Sequence, residues 1–461
     1  MPTAAQRFGE FVAGLDAGAI PDDVQHAAGL HALDALGCGI AAHALGEAGY
    51  VHAAVREDGS TGPATAIGAA NLLPGDAALV NGALAHALDF DDTHPRSVVH
   101  VSAGVVPAAL AAAQAAGASG ADLLAAMVAG NEVCVRLGNA GSGLFHARGF
   151  QPTGVCGVFG ATAAAARARR LTPATTAHAL GIAGSMAAGL LEFLADGSET
   201  ERLHPGWAAR SGLAAVRLAA HGASGPATVF EGARGFFATY LHGEATDLPA
   251  ELATLGERWV TPEIAYKPYP ACHYTHAPVD ALAAVLADTP IRPEDVESIV
   301  GFTDATGVSL VCDPAADKVH PRTPYDAKFS LPWCLSYRLV HGRLDVTSFT
   351  AEADTDEAVR ALTPRVSYEL RQYAPTPDAF GGGVRVVLRD GRVLEHELRY
   401  QRGGAENPLT ADEVLQKFRT NASLGLADDD VSGLEKALLG LAHETDTAFA
   451  TVLGRAAGGV K

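Results

Sequence analysis

Paired cysteines, basic stretches and long apolar runs are all scarce in this 461-residue chain. No Cys-x-x-Cys pair occurs, which argues against a zinc ribbon and a thioredoxin-like redox site. Cysteines spread so widely through a long chain are typical of a reducing compartment. The six cysteines are Cys38, Cys134, Cys156, Cys272, Cys312 and Cys334.

The chain also lacks the patterns that target a protein to membranes or nucleic acids. Its N-terminus has no basic region followed by an apolar core, so we expect no signal peptide. Apolar runs are broken by Gly, Asp and His, which predicts no transmembrane span. With 33 Lys and Arg against 52 Asp and Glu, the net charge is −19. Such acidity argues against nucleic acid or an anionic membrane as a partner and favours a cytoplasmic protein.

Alanine and glycine are abundant in the first 240 residues, and alanine is the best helix former. Pro21 and the acidic residues after it predict the start of one helix. Several helices are apolar nearly all round, which is typical of the inside of a multi-layer bundle. Further helices are predicted at 75–88, 105–117, 121–138, 155–170, 173–188 and 205–221.

The composition changes near residue 259, where β-type segments begin to alternate with helices predicted at 277–287 and 326–341. The segments are VESIVGF, RVSYELRQY, GVRVVLRD and RVLEHELRY. The last two flank Asp390-Gly391, a strong hairpin signal. Thr410 and Glu413 then form a capping box before another helix, and short helices follow near 431–441 and 444–453.

The chain is too long for one core, so two domains are expected. Residues 1–266 and 405–461 are predicted to form a large all-helical domain, and residues 267–404 an inserted, smaller α+β lid domain. The fold class is therefore predicted as mainly α.

The densest group of proton-transfer residues is ALDFDDTHPRSVVH, which ends at His100. Crowded carboxylates raise one another's pKa, and a nearby imidazole can share the proton. Asp89, Asp91 and Asp92 could instead be turn residues at a helix end, or metal ligands beside the histidines. A diphosphate-binding DDxxD motif lacks its last acid here, because Thr93, His94 and Pro95 follow Asp92.

A second candidate site is KPYPACHYTH, in which two prolines predict an irregular loop that presents Lys267, Cys272, His273 and His276. The N–H groups of the following helix, together with Lys267, could bind a substrate carboxylate. A structural linker is the alternative interpretation. Cys272 could be a nucleophile, although no cysteine motif supports that role.

Three further stretches carry polar residues at predicted helix starts. Gln151 and Thr153 precede a glycine-rich helix that cannot be a dinucleotide fingerprint, because no strand precedes it. Arg202, His204 and Arg210 surround a helix predicted to begin at Pro205. Lys328, in TPYDAKFSLPW, is expected to be a structural ion-pair partner.

Together these stretches resemble the MmgE/PrpD family, which includes 2-methylcitrate dehydratases, cis-aconitate decarboxylases and iminodisuccinate epimerases. The resemblance runs in order from residue 79 to 419. The matching stretches are ALVNGALAHALDFDDTH with His100, GFQPTGVCGVFGA, RLHPGWAARSG, FEGARGFF, KPYPACHYTHAPVDA, DAKFSLPW and ENPLTADEVLQKFR.

The resemblance implies a homodimer with cofactor-free and metal-free chemistry on small di- or tricarboxylic acids, in a cleft between the domains. It places Asp89, Thr93, His100 and Lys267 at active-site positions, with His273 taking the role of a histidine that some members have at Cys272. Asp91 and Asp92 are expected to hold the loop and the helix ends. Many members have His at the position of Gln151 and Lys at that of Glu201, so a less anionic substrate is expected here.

The sequence therefore predicts a lyase, specifically a dehydratase of a hydroxylated carboxylic acid. Asp89 and His100 are the predicted base and acid, in an order left open, and Thr93 donates a positioning hydrogen bond. Lys267 and Arg202 are predicted to hold a substrate carboxylate, and further substrate contacts are assigned to Gln151, His204, Cys272 and His273. An epimerase or other isomerase, a decarboxylase and a non-catalytic carboxylate-binding protein are the alternatives.

Overall fold

Helices make up most of the chain that the computed structural model describes, residues 2–373 and 379–459, so the fold is mainly α as predicted. Two compact units divide it. Unit 1 comprises Met1–Ile264 and Thr410–Lys461, and unit 2 comprises Ala265–Leu409.

Unit 1 contains helices from both ends of the chain and one short antiparallel hairpin. Its helices are α1 (Ala4–Gly14), α2 (Asp22–Ala44), α3 (Gly49–Glu57), α4 (Pro74–His86), α5 (Ser102–Ala116), α6 (Gly120–Ala140), α7 (Leu144–Ala147), α8 (Pro152–Ala168), α9 (Pro173–Ala183), α10 (Thr200–Ala220), α11 (Phe236–Tyr240) and α12 (Leu248–Ala253). The hairpin strands are β1 (Ala64–Ala66) and β2 (Ala69–Leu72).

The small residues of the central helices let their backbones approach closely. All of α8 is buried, and it packs against α6 and α10. Where α10 crosses α4, a Cβ added to Gly82 would lie only 2.6 Å from the Cα of Gly206. A larger side chain at this crossing would force the helices apart. The two glycines thereby bring the C-terminal end of α4 next to the N-terminal end of α10.

Unit 2 is built on a four-stranded sheet with the order β4-β3-β5-β6. The strands are β3 (Val296–Thr303), β4 (Val366–Leu370), β5 (Gly382–Leu388) and β6 (Val393–Leu398). Strand β3 pairs in parallel with β4 and antiparallel with β5, and β5 pairs antiparallel with β6. The turn between β5 and β6 contains Gly391 at a φ of 88°, as a hairpin at Asp390-Gly391 requires.

Helices surround the sheet within unit 2 and complete its core. They are α13 (His276–Asp288), α14 (Ala305–Gly307), α15 (Ala315–Val319), α16 (Pro324–Ala327), α17 (Leu331–His341) and α18 (Glu357–Leu362). Helix α13 packs on β5 and β6, and the buried Trp333 of α17 belongs to the same apolar cluster. After unit 2 the chain returns to unit 1 with α19 (Ala411–Ala422) and α20 (Asp428–Leu439).

The observed elements differ from the predicted ones in several places. The prediction of an all-helical first domain missed the β1–β2 hairpin, whose alanine-rich strands give no β-type signal. Helix α10 begins at Thr200, so the start predicted at Pro205 is wrong, and that proline lies inside the helix. Helix α9 ends at Ala183, before the predicted residue 188, and the segment predicted as a helix at 444–453 is a 3₁₀ helix at Ala448–Arg455.

No single helix among the described residues has both the length and the apolar character that crossing a membrane requires. Taken together, α2 and α3 have the length and composition of a membrane span, but the two helices are bent by 86° relative to each other.

Candidate active site

The loop that follows α4 folds back on the helix end and buries its acidic residues. Asp89 has a φ of 51°, in the left-handed region that asparagine and aspartate tolerate better than most residues. Its N–H donates to the carbonyl of His86, and this turn directs the chain away from the helix axis. Further along, a bridge between His94 and Val99 closes the loop. Asp89, Asp91 and Asp92 are all buried as a result.

Asp91 lies between two imidazoles. Its Oδ1 is 3.0 Å from His86 Nδ1, and its Oδ2 is 3.2 Å from His100 Nδ1. The two rings meet edge to face with their centroids 4.6 Å apart. The side chains of His86 and Asp91 are 1% and 0% exposed, whereas that of His100 is 13% exposed. We call these three residues the Asp91 cluster, and His100 is its member nearest to solvent.

The charges of the Asp91 cluster are set by competition between burial and pairing. Burial lowers the pKa of His86, but the carboxylates of Asp91, Glu201 and Asp89 outweigh it and raise the pKa to about 9. Burial raises the pKa of Asp91, but the two imidazoles hold it well below its usual range. Near neutral pH the cluster therefore contains a carboxylate and an imidazolium in direct contact.

Glu201 approaches His86 from the opposite side of the ring. Its Oε1 lies 3.9 Å from His86 Nε2, and its side chain is 8% exposed. It stands in the first turn of α10, where the helix dipole stabilises a carboxylate. The close crossing of Gly82 and Gly206 places this turn beside the end of α4. Glu201 thus faces the cluster and is shielded from solvent.

A second buried group lies behind the loop, and we call it the Asp92 cluster. Asp92 Oδ2 is 2.8 Å from His31 Nδ1, and its Oδ1 accepts a hydrogen bond from the backbone of Ser102 at the start of α5. Asp34, on the same helix as His31, is 2.6 Å from Lys417 Nζ. Lys417 also donates to the carbonyl of Phe90 at 2.6 Å. The loop is therefore attached to α2, α5 and α19.

Residues predicted around His100 are close to it. Thr93 Oγ1 lies 3.3 Å from His100 Nδ1. Thr153 Oγ1 accepts the backbone N–H of His100 at 2.9 Å, which ties the loop to the start of α8. Gln151, predicted to contact substrate, caps that same helix by accepting the N–H of Gly154. Its role toward a substrate stays a prediction.

Arg202 and His204, on α10, have different surroundings from those of Glu201. The guanidinium of Arg202 forms ion pairs of 2.7 Å with both Glu47 and Glu199. Those carboxylates compete with a substrate for Arg202, whose predicted role as a carboxylate ligand is untested. Burial, with a smaller contribution from His86, lowers the pKa of His204 to about 4, so its imidazole is neutral.

The Lys267 loop belongs to unit 2, and its polar residues are buried. Lys267, Cys272 and His273 are 2%, 8% and 5% exposed. His273 stacks on Phe380 with centroids 4.8 Å apart, and His276 Nε2 is 2.9 Å from the carbonyl oxygen of Ala271. The loop is held in part by Lys328, whose ammonium donates to the carbonyl of Pro270 and lies over the Phe349 ring. The substrate contacts predicted for this loop remain predictions.

Comparison with known proteins assigns the chain to one family along almost its whole length. The MmgE/PrpD N-terminal domain matches residues 6–249, and the MmgE/PrpD C-terminal domain matches residues 269–439. The chain belongs to the MmgE/PrpD family. The resemblance that the sequence motifs carry is thereby confirmed.

Curated MmgE/PrpD relatives include two mammalian enzymes and one fungal protein. The cis-aconitate decarboxylase of Mus musculus is 32% identical over 79% of this chain and 75% of its own length. That of Homo sapiens is 32% identical over 83% and 79%. A 2-methylcitrate dehydratase-like protein of Aspergillus oryzae is 25% identical over 43% and 41%.

Within this MmgE/PrpD chain, the Asp91 cluster is also the described group whose geometry could hold a metal ion. One ligand atom from each of His86, Asp91 and His100 lies within 4.8 Å of the others. However, both histidines direct Nδ1 at the carboxylate of Asp91. A metal ion here would have to displace the proton of His86, whose pKa is raised to about 9. The arrangement suits proton sharing better than coordination.

Sequence reasoning singled out Asp89 and missed His86 and the central place of Asp91. Asp91 was expected to hold the loop and the helix ends, and it contacts both His86 at the end of α4 and His100 in the loop. Asp92 does hold a helix end, at Ser102. One feature of the sequence could have pointed to His86. It lies in an alanine-rich helix, five residues before Asp91 and close to the predicted end of that helix.

Proposed function

We propose that this protein is a lyase that removes water from a small hydroxylated carboxylic acid by proton transfer. The observation that supports it is the carboxylate of Asp91 held between two imidazoles, one of which reaches solvent. Such a carboxylate fixes the orientation of His100 by accepting from its Nδ1–H, which leaves Nε2 as the basic nitrogen. Proton transfer by a positioned histidine is a common basis of lyase chemistry.

In the proposed dehydration, His100 Nε2 takes a proton from the carbon next to the substrate carboxylate. The electron pair of that C–H bond forms a C=C bond as the C–O bond to the neighbouring hydroxyl breaks. The leaving hydroxyl takes up a proton, overall the one that His100 removed from carbon, and departs as water, so atoms and charges balance. Asp91 stabilises the imidazolium formed on His100, while Thr93 lies beside the ring nitrogen Nδ1 and Thr153 holds the backbone of His100.

Decarboxylation of a cis-aconitate-like acid is the second candidate. It is favoured by the two mammalian decarboxylases, each 32% identical to this chain. The C–C bond to the lost carboxylate leaves its electron pair on the substrate as CO₂ departs, and a protonated His100 could deliver the proton that this carbanion needs. Asp89 stays in the proposal as a buried carboxylate that acts on His86, the partner of Asp91.

The two candidates are separated by following 2-methylcitrate and cis-aconitate with the enzyme in deuterated water by proton NMR. Dehydration produces a new vinylic or vinyl-methyl signal from 2-methylcitrate, whereas decarboxylation releases CO₂ from cis-aconitate. Exchange of a substrate C–H for deuterium without net reaction would indicate an epimerase.

The variant His100→Ala tests whether the observed reaction depends on the proposed site. Its turnover should vanish or fall steeply while the fold is kept. If the folded wild-type protein neither converts nor exchanges any candidate acid but is stabilised by it against heat, the lyase proposal fails in favour of a carboxylate-binding protein.

A further inference from the structure

Three arginines and a histidine line one cavity in unit 1. The cavity has a volume of about 420 Å³, which is within the range of small-molecule sites. Its charged and titratable wall residues are Arg169, Arg210, Arg217, His221 and Asp76. Arg210 is among the cations that the sequence singled out, and the Asp91 cluster does not contain it. This group of cations therefore needs an explanation of its own.

Positive charge is in excess around this cavity. Arg210 Nη2 lies 3.2 Å from Oδ1 of Asp76, the one carboxylate among the described wall residues. The side chains of Arg169 and Arg217 have no ion pair or hydrogen bond with any residue that the structure describes. Three guanidiniums against one carboxylate leave an excess of two positive charges, in contrast to the net charge of −19 of the whole chain.

Two of the arginines also have a local reason for their positions. Arg169 is the C-cap of α8, and Arg217 lies in the last turn of α10, where a cation complements the helix dipole. That effect explains each arginine separately. It does not explain why Arg210, two turns before Arg217 on the same face of α10, joins both of them at one cavity. Guanidiniums that share a cavity repel one another unless an anion lies between them.

The first turn of α4 forms another wall of the cavity and adds backbone donors. This helix has 13 residues, and its first two, Pro74 and Gly75, line the cavity. No side chain caps the start of the helix, so its free N–H groups favour an anion. A Cβ added to Gly75 would lie 3.4 Å from Cγ of Arg210, which shows that this arginine runs along the helix start.

We propose that this cavity is a binding site for a small polyanion that carries phosphate or carboxylate groups. A guanidinium binds the paired oxygens of either group through two parallel N–H bonds. The cavity is separate from the Asp91 cluster, because α4 rises about 18 Å between Pro74, at the cavity, and His86, in the cluster. This binding site goes beyond the proposed lyase function and does not depend on it.

Calorimetric titration of the full-length wild-type protein in low-salt buffer tests the proposal with two probes. Inorganic pyrophosphate represents ligands with phosphate groups, and tricarballylate represents polycarboxylates. At least one probe should bind, and Arg217→Gln should weaken its binding by about tenfold or more, as expected when hydrogen bonds between charged groups are lost. Dependence on Arg217 then identifies which kind of anion the cavity takes. If neither probe binds, or if Arg217→Gln binds both as tightly as the wild type, the proposal is overturned.

A matched control separates this site from general attraction between charges. Arg56→Gln removes the same charge from the last turn of α3, where Arg56 is exposed and lies outside the cavity. Its affinity for the probe should stay within about twofold of the wild type, since an exposed and distant charge is screened. A loss in Arg56→Gln as large as that in Arg217→Gln would show that no specific site exists. Thermal unfolding of both variants checks that they are folded.

A second control separates the cavity from the Asp91 cluster. Arg217→Gln should weaken binding of the probe by the same factor in the wild type and in a His100→Ala background, because distant and independent sites act additively. If the effect of Arg217→Gln disappears in the His100→Ala background, the anion binds at the Asp91 cluster and the cavity is not its site.

Discussion

Asp91 and Asp92 are adjacent in sequence and equally buried, yet they serve two different clusters. Each carboxylate contacts a histidine, and each is 0% exposed. Asp91 is shared with His100, which reaches solvent. Asp92 is bound to His31 and to the start of α5, and no member of its cluster has a side chain more than 8% exposed. The two clusters therefore differ in access to solvent, since burial of a carboxylate is common to both.

The Asp92 cluster connects segments that are far apart in the chain. Burial raises the pKa of Asp34 to about 6, against the opposing effect of Lys417. Lys417 comes from α19, which is more than 300 residues away, and its ammonium also binds the loop at Phe90. This cluster stabilises the loop that presents Asp91, without providing a group that a substrate can reach.

The largest difference is expected when each aspartate is replaced by its amide. Asp91→Asn should reduce kcat by a factor of roughly 10² to 10⁴, because His100 loses the negative charge that stabilises its imidazolium. Asp92→Asn should change kcat only a few-fold but lower the free energy of unfolding by about 1–3 kcal/mol, since buried partners are left unsatisfied. Steady-state kinetics and urea unfolding measure the two effects. Equal losses of kcat in both variants would remove the distinction between the clusters.

How far the sequence predicts this arrangement depends on how local each signal is. The hairpin at Asp390-Gly391 and the capping box of Thr410 and Glu413 each depend on residues that are close together in the sequence. Both are observed. The acidic loop was also recognised as the candidate site. The contacts of Asp91 with two imidazoles were not predicted, because the left-handed turn at Asp89 decides which carboxylate meets them.

Long-range partners gave no signal in the sequence. His31 and Asp34 lie in an alanine-rich helix, where they could equally have been solvated residues, and their partners Asp92 and Lys417 are 61 and 383 residues away. The approach of Glu201 to His86 depends on the glycine contact between α4 and α10. Such pairings follow from packing between helices, which periodicity does not reveal.

The next largest effect concerns the ion pair of the Asp92 cluster. Lys417→Met leaves the Asp34 carboxylate without its cation and should lower the free energy of unfolding by about 3–5 kcal/mol, as for other buried pairs. Adding Asp34→Asn should restore much of that loss. The matched control is Arg419→Met on the same helix, whose exposed pair with Glu435 should contribute less than about 1 kcal/mol. A Lys417→Met loss no larger than the control's would show that the buried pair is not what holds the loop.

The Asp91 and Asp92 clusters should affect the free energy of unfolding in different pH ranges. The pKa of His86 is raised from 6.5 to about 9 in the folded state, so its stabilisation is complete below pH 6.5 and is lost as the pH rises through 9. That stabilisation is at most about 3 kcal/mol, from the size of the pKa change. Asp34 affects stability in the acidic range. Its pKa is raised from 3.8 to about 6 in the folded state, so burying its carboxylate lowers stability as the pH rises through that range.

Urea unfolding of the wild type between pH 4 and 10 measures both contributions. His86→Gln should flatten the profile between pH 6.5 and 9 and leave the acid side unchanged. The opposite pattern, a flattening below pH 6, would mean that the Asp91 cluster is not held by an imidazolium.

The smallest effect is expected at Thr153, which connects the Asp91 cluster to α8. Thr153→Ala removes the acceptor of the His100 N–H and should cost about 1 kcal/mol of stability. Thr410→Ala removes the N-cap of α19 and should cost about the same. Because Thr153 contacts His100 and Thr410 does not, kcat should fall a few-fold in Thr153→Ala and stay unchanged in Thr410→Ala. If both variants keep full kcat at equal stability, the backbone of His100 is placed by the Asp91 and Asp92 contacts alone.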